Sequence, residues 1–108
     1  MGYSDLQTEF FNLFQLLGGY LNQDFDIFGP TLEDAVRSYI DVSDAGEIAR
    51  TRAEIARFIE VKANDLDAEL DRLTNGDLAR EPGMGARDFL AWLDGLLAEG
   101  LIGKDDRP

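Results

Sequence analysis

The sequence contains neither cysteine nor histidine. Without cysteine there is no disulfide framework and no thiol nucleophile, and nothing points to an oxidising compartment. Without histidine, the commonest general acid–base group and the usual activator of a nucleophile are missing. Only hard-ion, oxygen-ligated metal sites remain open. Cations are scarce too: 10 Lys and Arg stand against 22 Asp and Glu, a net charge of -12. Nucleic-acid affinity comes largely from Lys and Arg on phosphates, so this surface repels nucleic acid, and anionic membranes for the same reason. No apolar run approaches the ~20 residues of a spanning helix. Met1-Gly2-Tyr3-Ser4-Asp5 has neither the basic nor the apolar region of a signal peptide. The expectation is a cytoplasmic protein that binds no cofactor, no membrane and no nucleic acid directly.

What the chain does have is helical periodicity, with no strand alternation of useful length, no internal repeat and no low-complexity tract. At 108 residues and 44% hydrophobic composition it is expected to form one domain, 1–108, with residues 103–108 as a frayed tail. Leu6, Phe10, Leu13, Phe14 and Leu17 recur at helical spacing, with Gly18-Gly19 as the predicted stop. Thr31-Leu32-Glu33-Asp34 after Pro30 is a cap signal with acids in the first turn, and Leu32, Ala35, Val36, Tyr39 and Ile40 then form one apolar face. Asp44 with Glu47 starts a third helix, whose inner face is Ile48, Thr51, Ile55, Phe58, Ile59 and Lys62. Asn64 is the expected cap of a short helix with Leu66, Leu70 and Leu73, ending at Asn75-Gly76. A last helix carries Ala86, Phe89, Leu93, Leu96 and Leu97, with Gly100 as its expected end and Leu101-Ile102 folding back. Short connections make neighbouring helices antiparallel, so the predicted fold is all-α, a compact bundle of about five helices.

No constellation supports catalysis. Asp65-Leu66-Asp67-Ala68-Glu69-Leu70-Asp71 begins like a calcium loop, but Leu70 stands where that loop needs glycine and Gly76 where it needs glutamate. It fits a solvated helix face better. Gly83-Met84-Gly85 has no strand before it and no lysine in place, so it is no phosphate cradle. Two carboxylates could do glycosidase chemistry only across a deep cleft, which a small bundle seldom offers. Asp24 and Asp26 could share an ion only on extended backbone. The expectation is no catalytic residues and no metal site. Glu33 with Arg37, Arg50 with Glu54, Glu54 with Arg57, and Glu69 with Arg72 stand at ion-pair spacing on helices. These pairs consume most of the positive charge and leave acids such as Asp24, Asp26, Asp65, Asp67 and Asp71 without cations.

The segment from Gly19 to Gly29 interleaves Tyr20, Phe25, Ile27 and Phe28 with Asp24, Asp26 and two amides. Aromatics beside unpaired acids suit recognition of a basic, partly apolar surface. The same side chains could instead plug the core, with Asp24 capping a turn. Asp24, Asp26, Phe28, Glu33, Asp34, Asp65, Asp67 and Asp71 are the candidate contacts to a basic protein partner. No obvious apolar stripe is left over after the core faces are assigned.

At these residues the chain resembles the helical CdiI type of immunity protein from contact-dependent growth inhibition systems. The pattern is Leu16-Leu17-Gly18-Gly19-Tyr20-Leu21-Asn22-Gln23-Asp24-Phe25-Asp26, then Gly29-Pro30-Thr31-Leu32-Glu33-Asp34-Ala35-Val36. Glu54-Ile55, the Leu66/Leu70/Leu73 run and Arg87-Asp88-Phe89-Leu90-Ala91-Trp92-Leu93 are similar to the family's later helices. Tyr20, Gln23, Asp24 and Phe25 are the motif positions carried over. Leu21-Asn22 departs from the pattern, because relatives often have an aromatic and a histidine there. The resemblance implies a non-enzymatic, cytoplasmic protein that binds and neutralises a cognate toxin, the C-terminal domain of a CdiA-type effector. Such toxins are commonly nucleases, often acting on tRNA, and a nuclease presents a basic surface to its substrate. The toxin could also arrive by another contact-dependent route. The rival readings are a helical adaptor or regulator unrelated to toxins, and a small enzyme with a buried pair of carboxylates.

Overall fold

The structure, a computed structural model, describes residues 7–74, 76, 78 and 83–105. Residues 7–9 are helical and lead across a turn at Phe10 into α1, Phe11–Tyr20. A 3-10 turn, Phe25–Phe28, precedes α2, Leu32–Val42, which is followed by α3, Ala45–Val61. A second 3-10 turn, Ala63–Asp65, runs directly into α4, Leu66–Thr74, and α5 is Ala86–Asp105. The described residues contain no strand. The all-α bundle expected from the periodicity is the observed architecture, with five α-helices of nine residues or more among the described residues.

α5 is the spine, packing on α2, α3 and α4, while α1 covers α2, α3 and α4 from the other side. One continuous core joins Phe10, Leu13 and Leu17 to Val36, Tyr39, Ile48, Ile55, Phe58, Leu70, Leu73, Phe89, Leu93 and Leu97. Phe10 meets Phe58 edge-on, with centroids 5.0 Å apart. The Tyr39 hydroxyl lies 2.8 Å from Thr51 Oγ1, which itself donates to the Glu47 carbonyl at 3.0 Å, so the tyrosine is the donor of that pair. Burial raises the Tyr39 phenol to about 12.

Local signals place the starts of α2 and α3. Thr31 Oγ1 accepts from the Asp34 amide at 3.2 Å, and Asp34 Oδ2 accepts from the Thr31 amide at 3.1 Å, a reciprocal capping box. Asp44 Oδ1 accepts from the Glu47 amide at 2.7 Å to start α3. The start of α1 is capped from a distance instead. Glu54 of α3 accepts from the Leu13 amide at 2.9 Å and from Asn12 Nδ2 at 2.7 Å, so its charge sits at the positive end of α1. That tertiary role corrects the helical pairs predicted for Glu54: its carboxylate is taken by α1, and Arg57 pairs with Glu9. The Glu33–Arg37 and Glu69–Arg72 pairs do form.

Three predicted boundaries move. Gly18-Gly19 does not stop α1, which runs to Tyr20 because Leu16, Leu17 and Leu21 are buried on either side of the pair. The terminator is Asn22, whose Nδ2 donates to the Gly18 carbonyl at 2.9 Å and whose Oδ1 accepts from the Asp24 amide at 2.8 Å. Asn64 does not cap α4; it lies inside the 3-10 turn that feeds it. Gly100 does not end α5, which continues to Asp105 with Leu101 against the core, so Leu101-Ile102 do not fold back and Gly103 and Lys104 are helical. A Cβ at Gly100 would stand 2.7 Å from Ile40 Cγ2, so this glycine serves the α2–α5 crossing. Leu6, Asn75, Pro82 and residues 106–108 lie outside the described residues.

Candidate interaction surface

The segment between α1 and α2 is a knuckle seated on α2. Asn22 turns the chain out of α1, and Phe25–Phe28 then wind as a 3-10 turn closed by the Gly29 amide donating to the Asp26 carbonyl at 3.3 Å. Gly29 has φ 141°, and a Cβ there would be 2.6 Å from Asp34 Cβ, so only glycine lets the knuckle close onto the capping box. Phe25 and Phe28 are half-buried against the core. Tyr20 stacks on Phe28 at 4.8 Å and meets Tyr39 edge-on at 5.4 Å. The aromatics therefore anchor the knuckle, and the winding turns Gln23, Asp24, Asp26 and Ile27 outward, Ile27 being 76% exposed. The backbone from Asp24 to Asp26 is not the extended conformation that sharing an ion would need.

The other predicted contacts divide by what already holds them. Asp34 is occupied by the capping box, and Glu33 lies 2.8 Å from Arg37 Nε, which raises the guanidinium pKa by that hydrogen bond and charge. Asp67 Oδ1 accepts from the Ala86 amide at 2.9 Å and so fixes the start of α5, contrary to the expectation that it is free. Asp65 and Asp71 are exposed and have no ion-pair partner among the described residues, as is true of Asp24 and Asp26. The start of α5 lies between two of these groups. Asp67 caps it from α4, while Thr31, Leu32 and Glu33 share with Met84, Phe89 and Trp92 a cavity of about 220 Å³.

A second concavity, about 320 Å³, opens where α1 crosses α2 and the start of α3. α1 lines it with Phe11, Asn12, Gln15 and Tyr20, and the facing wall is Tyr39, Val42, Ser43 and Glu47. Phe11 is 53% exposed and Val42 75% exposed. Glu47 Oε2 lies 3.2 Å from Ser43 Oγ, which donates its proton to the Tyr39 carbonyl at 2.7 Å, and no lysine or arginine lines the groove. Sequence reasoning missed this site. The available signal was that Phe11 and Val42 are large apolar residues off the inward faces of their own helices.

The described residues form a small helical bundle with outward-facing acids, and none of its helices is long and apolar enough to cross a membrane. Comparison with known families supplies the class of the protein. The family model for CdiI immunity protein matches residues 9–97, and the chain belongs to that family. No curated protein and no solved structure matches it.

Proposed function

We propose that this chain neutralises a cognate toxin, the C-terminal domain of a CdiA-type effector, by tight stoichiometric binding in the cytoplasm, without catalysis of its own. The observation that carries the reading of the surface is the knuckle: Asp24 and Asp26 stand exposed beside Phe28 and Ile27 on a turn clamped to α2. A preorganised turn loses little entropy on binding. Its unpaired acids, on a protein of net charge -12, favour a basic partner and speed the encounter. A nuclease toxin, such as one acting on tRNA, fits because its substrate groove must be cationic. In the favoured mechanism the acidic surface occludes that groove. Asp24, Asp26 and Phe28 are the primary contacts, Asp65 and Asp71 a second acidic set, and Glu33 is free to exchange Arg37 for a partner cation. Gln23 is exposed and available for hydrogen bonding, whereas Tyr20, Phe25, Asp34 and Asp67 act by holding the surface in place.

The test is co-expression with the toxin domain encoded immediately upstream, followed by co-purification and a growth assay. A stable complex and restored growth are expected, and loss of both for Asp24→Lys combined with Asp26→Lys. An intact protective complex in that double variant would move the interface off the knuckle. Absence of any complex with the unaltered chain would remove the immunity reading itself.

A further inference from the structure

We infer that the groove between α1 and α2 receives a cationic side chain of the toxin domain, an arginine or lysine projecting from an apolar stretch. The inference rests on the immunity reading and adds to it a second contact region with its own chemistry. Three features of the groove converge. Phe11 and Val42 are more than half exposed and line the same concavity, an arrangement more typical of interfaces than of inert surface. Tyr20, half-buried and held edge-on against the core Tyr39 at 5.4 Å, offers an aromatic wall to the stem of a long side chain. Glu47 supplies a carboxylate whose neighbours in the groove are the neutral hydroxyls of Ser43 and Tyr39, leaving lone pairs for an incoming cation.

Charge complementarity chooses the occupant. The groove holds a carboxylate and no cation, and it lies in a protein with 12 more acidic than basic side chains. A purely apolar guest would strand Glu47 beside it without a counter-charge, whereas a guanidinium or ammonium at the end of an apolar stem satisfies both parts of the lining. The volume, about 320 Å³, is at the small end of the ~300–1,000 Å³ range of ligand pockets, which suits one side chain better than a cofactor. Tyr20 also stacks on Phe28, so the groove and the knuckle share a wall and one partner can engage both.

The experiment is calorimetric titration of the upstream-encoded toxin domain into the unaltered chain and into Val42→Arg, Glu47→Gln and Ile102→Arg. Val42 closes α2, where an added cation suits the helix end, and Ile102 is an exposed apolar residue in the last turn of α5, outside the groove lining and outside the acidic contact sets. Unfolding midpoints certify that each variant is folded. Val42→Arg is expected to weaken binding by roughly tenfold or more, and Glu47→Gln by roughly three- to tenfold with a shallower salt dependence. Ile102→Arg should bind like the unaltered chain. Tight binding by the unaltered chain, matched within twofold by Val42→Arg and Glu47→Gln, overturns the groove assignment and leaves the immunity reading standing. If the unaltered chain neither binds nor protects, both fail together.

Discussion

Glu54 shows how one side chain can hold two helices. Its carboxylate accepts from the Leu13 amide and from Asn12, so the first turn of α1 is capped from α3. Glu54→Ala should destabilise the fold by about 1–3 kcal/mol, because a part-buried N–H loses its acceptor. Glu54→Gln, which keeps an acceptor oxygen, should lose less, and urea denaturation of the two variants checks the order. Tyr39 yields a pH prediction. Its phenol moves from 10.0 unfolded to about 12 folded, with burial the largest cause, so the folded state disfavours the phenolate. Stability is therefore fully present below pH 10 and declines as pH rises from about 10 toward 12. Tyr39→Phe should start lower, by about 0.5–1.5 kcal/mol for the lost hydrogen bond, and show a shallower decline over that window. Equilibrium denaturation across pH 8 to 11 separates the two proteins.

At the scale of elements, the glycines of α5 have opposite meanings although the helix runs through both. Gly100 lies where α2 crosses, with Ile40 Cγ2 2.7 Å from the position of an added Cβ and Ile40 Cδ1 at 3.0 Å. Gly95 is exposed and would meet nothing within 4 Å. Gly100→Ala should cost about 1–3 kcal/mol through overpacking, partly offset by better helix propensity. Gly95→Ala should instead stabilise by up to about 1 kcal/mol. Thermal melts of the pair should shift in opposite directions, and equal upward shifts would mean that α2 and α5 separate easily. The knuckle is likewise a property of elements. Its acids are presented because Gly29 closes it onto the capping box while Tyr20 stacks on the half-buried Phe28 and pins it.

For the whole molecule, charge is the dominant fact. A net charge of -12 leaves self-repulsion that the few cations relieve locally. Arg52 pairs with Asp94 across α3 and α5 at 2.8 Å, and that hydrogen bond raises its pKa. Arg37 reaches both Glu33 and Glu99, tying α2 to α5. If toxin binding uses the remaining acids, its association rate should fall steeply between about 50 and 300 mM salt, while dissociation changes less. Stopped-flow measurements at several salt concentrations test this, and a salt-independent association rate would remove the acidic surface from the recognition step.

Much of this was determined by sequence alone, for a local reason. The apolar faces of α2 and α3, their caps at Thr31 and Asp44, and the all-α class depend on neighbours within four residues, and those neighbours are adjacent in the sequence. The motif from Tyr20 to Asp26 likewise identified the family to which the chain belongs. Tertiary structure decided what depends on residues distant in sequence. Gly18-Gly19 and Gly100 signal termination to a local rule, yet burial of Leu16, Leu17 and Leu21 and the crossing of Ile40 keep both helices going. Glu54, Asp67 and Arg57 were assigned to neighbours on their own helices or to solvent, but each is held by a group at least 19 residues away. The groove exists only where α1, α2 and α3 meet, so Phe11, Val42 and Glu47 become one site through packing that no local pattern encodes.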